Sequence, residues 1–226
     1  MPLYIGLSFL SNSCKNGKAE CRRILSGLEN RPFNEGEIAK GPNGRPFFPE
    51  RSVDFNLSHS GAMAAVSLAA GEGLRTGCDV QIVQHRRSIG DIAEEFFTAG
   101  ERDYIFAGGE PRLSAPADGS GGINRAEDYR FFAIWTLKEC YIKLRGLSVF
   151  DMASAPSFIG NPAASAKLDP SISASFYLYE LASREEHYFL AAAFEGGKGL
   201  QPEIRWFSQP ALPCRNILNG IPIAYC

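Results

Sequence analysis

Apolar residues recur with helical spacing in one long stretch of the chain. Between Glu127 and Arg145 they stand at i, i+3, i+7 and i+10, as Ile134, Leu137, Tyr141 and Leu144. This period predicts a helix over that stretch, and Gly146 stands where a helix-ending residue belongs. A second, shorter helix is predicted from Lys18 to Leu28.

Other segments have the composition of strands. Two apolar runs flank a turn predicted at Ser58 to Gly61, and two later runs are separated by Ser183 to Glu186, which predicts a hairpin. The predicted strands are Val53 to Leu57, Met63 to Ala69, Cys78 to Val83, Ile172 to Leu181 and His187 to Phe194.

Two capping boxes, Ser88-x-x-Asp91 and Thr98-x-x-Glu101, predict the starts of two successive helices. A stretch rich in Gly, Pro, Ser and Ala follows, and we expect a mobile loop at about residues 107–125. Strands and helices thus occur in mixed order without steady alternation, which favours an α+β fold over a doubly wound sheet.

Composition narrows the classes of function. The formal charge of -2 over 226 residues and a pI of about 6.0 argue against a nucleic-acid partner. The apolar segment from Met1 to Leu10 has no basic residue before it and is too short to span a bilayer, so we expect a cytoplasmic protein without a membrane partner. The six cysteines form no C-x-x-C pair and the three histidines are scattered, which predicts free thiols and no zinc site.

Three segments place polar groups where the pattern would favour apolar ones: Phe55 to Gly61, Gly77 to Gln81 and Trp135 to Lys143. Each also has an ordinary structural explanation. Asp79 could be a solvated residue at a strand end, and Glu139 and Lys143 have the i, i+4 spacing of a surface ion pair. His59 lies between two serines, but there is no G-x-S-x-G motif, and local hydrogen bonding in a turn is the commoner role of such a histidine.

Five motifs occur in a fixed order: Gly44-Arg45-Pro46, Phe55 to Gly61, Gly77 to Gln81, Phe96 to Glu101 and Trp135 to Lys143. Together they resemble motifs of the phosphopantetheinyl transferase superfamily, specifically its larger, surfactin-synthetase-activating type. The resemblance covers less than half of the chain. It implies transfer of the phosphopantetheine arm of coenzyme A to a serine of an apo carrier protein, with release of adenosine bisphosphate.

The resemblance also implies a site for Mg²⁺, with Mn²⁺ as an alternative ion. Asp79 and Glu139 would hold the cation, and Glu139 would also take the proton of the attacking serine. Gln81 stands where many relatives have a second carboxylate, so its contribution to the metal site would be weak. Glu101 matches a family glutamate, but it is also the third helical residue of a capping box.

Basic residues would bind the coenzyme. Lys143 would stabilise the growing pyrophosphate charge, and it is preferred to Lys138 because it shares a helix face with Glu139. The resemblance therefore makes Glu139, Lys143 and Asp79 the catalytic residues. The coenzyme-binding residues would be Arg45, Ser58, His59, Lys138, Lys143 and either Arg22 or Arg23.

The family's larger type implies a monomer of two similar α+β halves related by a pseudo-twofold axis, here residues 1–76 and 77–226, with coenzyme A between them. The carrier could be an acyl, peptidyl or polyketide carrier protein. Its docking site would be the segment Phe106 to Arg125 together with Phe96 and Phe97, although a core role is favoured for these two aromatics.

Two other functions stay open at this point. A metal-assisted phosphohydrolase or a Ser/His hydrolase could use Asp79 and Glu139, or His59, on a small phosphoester. A non-catalytic module could bind coenzyme A or a carrier protein without turnover, and Gln81 is the one sequence argument for it.

Overall fold

The computed structural model describes residues 2–10, 16–32, 34–84, 89–107, 126–159, 174–182, 186–196, 200–208, 214–216 and 223–224. Its helices are α1 (Gly17–Glu29), α2 (Ile89–Phe96), α3 (Ala99–Phe106) and α4 (Ala126–Arg145), with short 3-10 turns at Glu35–Glu37 and Val149–Ser154. Its strands are β1 (Leu3–Phe9), β2 (Ala39–Lys40), β3 (Pro46–Phe47), β4 (Val53–Ser60), β5 (Met63–Ala70), β6 (Arg75–Ile82), β7 (Ala174–Ala182), β8 (His187–Glu195), β9 (Glu203–Trp206), β10 (Cys214–Asn216) and β11 (Ile223–Ala224).

The fold is mixed α+β and contains two larger sheets. One has the strand order β4-β5-β1-β9, and the other has the order β10-β7-β8-β6 with β11 beside β7. In both sheets the chain follows the same order: a first strand, a helix that packs on the sheet, and then two strands that form an antiparallel hairpin. We call β1, α1, β4 and β5 the first unit, and β6, α4, β7 and β8 the second unit.

Apolar side chains arrange these units in layers. One face of each sheet contributes to a shared core that includes Ile5, Val80 and Leu190. On the outer face of the first sheet, α1 packs through Ile24. On the outer face of the second, α4 packs against residues such as Phe189. Burial of these apolar faces is the main force that holds helices and sheets together.

Helix ends follow their sequence signals. Thr98 and Glu101 form the predicted capping box of α3. Gly146 has φ +68° just after α4, a conformation that favours glycine, and its N–H donates to the carbonyl of Lys143. The predicted helix at residues 127–145, the helix at 18–28 and the hairpin of β7 and β8 are confirmed. The cap proposed at Ser88 and the segment 108–125 lie outside the described residues.

The predicted turn at Ser58 to Gly61 is wrong at its start. Ser58, His59 and Ser60 belong to β4 and pair with Ala65, Ala64 and Met63 of β5. Sequence reasoning assigned no strand to the apolar start of the chain, which forms β1, nor to β9, which pairs in parallel with β1. The division of the chain into two halves near Thr76 stays a prediction. Strand β9 follows Thr76 in the chain, yet it belongs to the first sheet.

Three cysteines, Cys21, Cys78 and Cys140, are buried free thiols. Within the described ranges, no helix combines the length and the apolar character that crossing a bilayer requires.

Candidate functional site

Close packing of α4 on β6 creates the site. Gly77 makes this approach possible, because a Cβ atom at this position would lie 2.6 Å from the carbonyl oxygen of Cys140 and 2.7 Å from the backbone nitrogen of Leu144. The neighbouring strand residue Asp79 is thereby placed beneath the last turns of α4, which carry Glu139 and Lys143. The site therefore depends on a glycine at position 77, because any larger residue would push α4 away from β6.

Asp79 is the buried centre of the site, with a side chain that is 1% exposed. Its Oδ1 atom accepts hydrogen bonds from Lys143 Nζ at 2.5 Å and from the Ser58 hydroxyl at 2.8 Å. Its Oδ2 atom accepts one from the Gln81 side-chain amide at 3.0 Å. A buried carboxylate needs such hydrogen bonds and a nearby cation, because transferring its charge from water into the protein without a partner would cost on the order of several kcal/mol.

Glu139 lies farther from the same lysine, with 4.0 Å between its Oε2 atom and Lys143 Nζ. Burial, followed by the charge of Asp79, raises the pKa of Glu139 to about 7, although Lys143 opposes the shift. Burial lowers the pKa of Lys143, but the charges of Asp79 and Glu139 outweigh it and raise that pKa overall. Two carboxylates thus share one ammonium group.

This donor set suits a hard divalent cation. Mg²⁺ binds through a few carboxylates and keeps water and substrate oxygens for its other positions. Asp79 and Glu139 provide the carboxylates, and the repulsion between them would fall when a cation is bound. Gln81 donates its amide nitrogen to Asp79 and accepts from the Ser60 hydroxyl at 3.4 Å, so it orients Asp79 in this state. Within the described part of the chain, no three His, Cys, Asp or Glu side chains come together.

Lys138 and Glu101 form a separate buried pair. Lys138 Nζ lies 2.9 Å from Glu101 Oε2, and both side chains are 0% exposed. The same Glu101 oxygen accepts from the backbone N–H of Thr98 at 2.9 Å, and Lys138 Nζ lies 5.4 Å from the ring centre of Phe97. This geometry differs from the expected roles in metal and coenzyme binding, because both charged groups are used to attach α3 to α4.

Arg45 is also engaged within the protein. Its guanidinium group donates to the Asp54 carboxylate and to the backbone carbonyls of Thr76, Lys143 and Leu144. The side chain is 13% exposed. The expectation that Arg45 contacts the ribose phosphate is therefore not supported by its placement: its terminal nitrogens join β4, β6 and the end of α4.

His59 lies exposed at the beginning of α1. A Cβ atom on Gly17 would come within 2.5 Å of His59 Cγ, so the imidazole rests against the first residue of the helix. The backbone N–H groups and the dipole at the start of a helix favour anions, although the Asn16 side chain already accepts from the N–H of Ala19. Arg22 and Arg23 are both exposed on α1, and Arg23 bonds to Glu20 and to the carbonyl of Phe207.

Sequence reasoning missed a ladder of polar residues along β4. Alternate side chains of this strand accept hydrogen bonds from alternate backbone N–H groups of β6, in the pairs Asp54 with Thr76, Asn56 with Cys78, Ser58 with Val80 and Ser60 with Ile82. We call this set the β4–β6 ladder. Polar residues at every second position of a strand, alternating with the apolar Val53, Phe55 and Leu57, are the signal that could have revealed it.

Phe96 and Phe97 pack on Trp135 of α4, with ring centres 5.8 and 6.2 Å away. They therefore contribute to the core. Phe106, at the end of α3, is 40% exposed. Most of the expected docking segment lies outside the described residues, so Phe106 and Ala107 are its described members.

Comparisons with known proteins agree with the motifs. A sequence model of the 4'-phosphopantetheinyl transferase superfamily matches residues 75–193, which include Asp79, Glu139 and Lys143. The chain is 34% identical over 122 residues to the 4'-phosphopantetheinyl transferase AcpT of Escherichia coli strain K12, and the match covers 54% of each chain.

Two further relatives give similar values. Identity is 32% over 142 residues with AcpT of Salmonella typhi, covering 62% of each chain. It is 31% over 134 residues with the 4'-phosphopantetheinyl transferase psf-1 of Bacillus pumilus, covering 59% of this chain and 49% of that one. The chain thus spans about half to three fifths of the length of these relatives. Because the family match extends over more than half of its residues, the chain belongs to the 4'-phosphopantetheinyl transferase superfamily.

Proposed function

We propose that the protein transfers the phosphopantetheine arm of coenzyme A to a serine of an apo carrier protein, with Mg²⁺ as the metal and Mn²⁺ as a substitute. The observation that carries the proposal is the cluster of Asp79, Glu139 and Lys143, two carboxylates around one ammonium group. The cluster lies within the family-matching segment, and its two carboxylates outnumber its one ammonium group, so a divalent cation would be attracted to it.

Glu139 is the base in this proposal. As a carboxylate of this cluster, Glu139 can take the proton of the attacking serine hydroxyl. The serine oxygen forms a new bond to the β-phosphorus of coenzyme A, and the bond from that phosphorus to the bridging oxygen breaks. Adenosine bisphosphate leaves with the electron pair of that bond.

Lys143 stabilises the negative charge that grows on the leaving phosphate. Its side chain is 27% exposed, and its ammonium group is bonded to Asp79 beside the place where the pyrophosphate would bind. A divalent cation held by Asp79 and Glu139 would neutralise pyrophosphate oxygens during transfer. Asp79 lies beneath the cluster, where it would hold the cation and bonds to the ammonium group of Lys143.

Coenzyme recognition is assigned to the surface where His59 meets α1. The imidazole, the start of the helix and the exposed Arg22 together offer a partly positive surface for the ribose phosphate. Arg45 is assigned to holding the end of α4, because its guanidinium group is bonded to carbonyl oxygens there.

In this proposal the protein is a monomer of two similar halves related by a pseudo-twofold axis, and the order of strand, helix and antiparallel hairpin found in both units supports it. Coenzyme A would lie in a surface cleft between the two halves, beside His59 and the cluster of Asp79, Glu139 and Lys143. The carrier protein, of acyl, peptidyl or polyketide type, would dock beside Phe106 and the segment that follows it.

Mass spectrometry of an apo carrier protein tests this function. The full chain, coenzyme A and Mg²⁺ should add one phosphopantetheine arm to the carrier serine, and chelation of the metal should stop the reaction. Release of adenosine bisphosphate without a carrier would instead indicate a hydrolase. Binding of coenzyme A without modification of any type of carrier would indicate a non-catalytic module.

A further inference from the structure

The β4–β6 ladder joins the edges of the two sheets. On its other side β6 pairs with β8 through its backbone, so β4 side chains occupy the position of a neighbouring strand. Every rung joins residues 22 positions apart, with distances of 2.7 Å for Asp54, 3.2 Å for Asn56, 3.2 Å for Ser58 and 3.1 Å for Ser60. The constant offset fixes the register of β6 against β4.

One rung of the ladder extends into the site. The Ser58 hydroxyl donates to Asp79 Oδ1 at 2.8 Å, and it accepts from the backbone N–H of Val80 at 3.2 Å and from Lys143 Nζ at 3.1 Å. A serine hydroxyl has one donor and two acceptor positions. All three are therefore used inside the protein, and the residue is only 6% exposed.

We propose that Ser58 is a positioning residue for Asp79 and Lys143, and that its hydroxyl does not bind the coenzyme. This inference rests on the proposed function, because it assigns Ser58 a part in the same transfer reaction. The hydroxyl ties the carboxylate and the ammonium group to the backbone of β6, and through the ladder to the first sheet. Ser58 of β4 thereby connects the first sheet to Asp79 of β6 and to Lys143 of α4.

Ser60 offers a matched control one rung further along. Its hydroxyl accepts from the Ile82 N–H at 3.1 Å and donates to Gln81 Oε1 at 3.4 Å, where Ser58 donates to Asp79. Replacing either serine by alanine removes one ladder bond from β6. Only the replacement of Ser58 also removes a partner from Asp79 and Lys143.

The experiment compares Ser58→Ala and Ser60→Ala in the full chain. For Ser58→Ala we expect kcat to fall at least about tenfold while the KM for coenzyme A stays within about twofold, as for residues that orient a metal ligand. Electron paramagnetic resonance of free Mn²⁺ should show weaker Mn²⁺ binding by about tenfold. Calorimetry with coenzyme A in the presence of a chelator should give wild-type affinity. Ser60→Ala should stay within about threefold of wild type in each measurement.

Two results would overturn the inference. A raised KM and weaker calorimetric binding of coenzyme A, with kcat unchanged, would make Ser58 a coenzyme contact. Equal kcat and Mn²⁺ values for the two alanine variants would make Ser58 an ordinary rung of the ladder. If Ser58→Ala does not fold, the pair Ser58→Thr and Ser58→Val answers the same question, because these side chains have nearly the same shape and only threonine keeps the hydroxyl.

The proposed function fails in a different way. If the wild-type chain modifies no carrier, the proposed function is wrong. The Mn²⁺ affinities of wild type, Ser58→Ala and Ser60→Ala would still show whether the Ser58 hydroxyl positions Asp79. A normal wild-type activity combined with unchanged Ser58→Ala values rejects the positioning role alone.

Discussion

Both units place acidic and basic helix residues beside a polar residue of their first strand, but the charges balance differently. In the first unit, Glu20 accepts hydrogen bonds from the Ser8 hydroxyl and from Arg23. The bond from Arg23 outweighs the opposing effect of burial and lowers the pKa of Glu20. One carboxylate meets one guanidinium group, and the cluster is neutral.

In the second unit, the strand residue is itself a carboxylate. Asp79 holds Lys143 at 2.5 Å, so Glu139 is left 4.0 Å from the same ammonium group. Burial and Asp79 then raise the pKa of Glu139 to about 7. Because its strand residue is an aspartate and not a serine, the second cluster has two carboxylates for one ammonium group, and it carries a negative charge in excess once Glu139 is ionised. We propose that this excess charge, rather than the presence of acidic residues, is what would make the second cluster a cation site and leave the first an ordinary ion pair.

The largest effect should come from removing a carboxylate of the second cluster. We expect Asp79→Asn and Glu139→Gln each to slow transfer to the carrier by about a hundredfold or more, since each would remove metal-binding charge and Glu139 is also the base. Mass spectrometry of carrier modification over time measures this. Glu20→Gln, in the first cluster, is the control and should keep activity within about threefold of wild type. Equal losses in all three variants would contradict the distinction between the clusters.

A buried pair that is not part of the site should affect stability most. Lys138→Met leaves the Glu101 carboxylate buried without its cation, so we expect the free energy of unfolding to fall by about 3–5 kcal/mol. Urea unfolding measures the change. The double variant Lys138→Met/Glu101→Gln should recover part of it. Full stability of the single variant would place this pair in a solvent-exposed setting.

Stability of the metal-free protein should depend on pH with opposite signs in the two clusters. The folded-state pKa of Glu139 is raised, so its contribution is fully present below about pH 4.5 and lost as pH rises through about 7. Glu139→Gln should then be more stable than wild type at pH 8, by on the order of 1–3 kcal/mol.

The pKa of Glu20 is lowered, so its contribution is present above its unfolded-state pKa and is lost as pH falls through the folded-state pKa. Glu20→Gln should therefore be less stable than wild type at neutral pH, with the difference shrinking in acid. Urea unfolding between pH 4 and 8 in the presence of a chelator measures both variants. The same sign of pH dependence in both clusters would refute the comparison.

A smaller effect should follow from filling the space beside His59. Gly17→Ala places a Cβ atom where the imidazole lies, so the ring must move, and we expect the KM for coenzyme A to rise about threefold to tenfold with kcat unchanged. In a His59→Ala background the same substitution should have no further effect on KM. Gly90→Ala is the control, because nothing lies within 4 Å of its added Cβ atom. A further rise in the His59→Ala background would mean that Gly17 acts by another route.

Much of the fold follows from periodicity in the sequence. The helical pattern of residues 127–145 and the two runs of the late hairpin predicted α4, β7 and β8 because their apolar faces are buried. The turn predicted at Ser58 was wrong because serine and glycine are common in turns, and the sequence alone does not distinguish a turn from the polar end of a strand. Ser58 is buried, and its hydroxyl bonds to β6, a strand that periodicity cannot place beside β4.

The residues of the site were predicted less evenly. Asp79, Glu139 and Lys143 meet because one motif places the last two on one helix face and another places Asp79 after a glycine. Lys138 pairs with Glu101, a residue 37 positions away. Spacing along the chain could separate Lys138 from Lys143, but it could not identify a partner contributed by another helix.

We propose that the excess negative charge of the second cluster binds a divalent cation. Electron paramagnetic resonance of free Mn²⁺, titrated into the protein with coenzyme A present, tests it without reference to turnover. We expect one Mn²⁺ site in the wild-type chain, its loss in Asp79→Asn and Glu139→Gln, and its retention in Glu20→Gln. Unchanged Mn²⁺ binding by both second-cluster variants, or loss of binding in Glu20→Gln alone, would contradict the account.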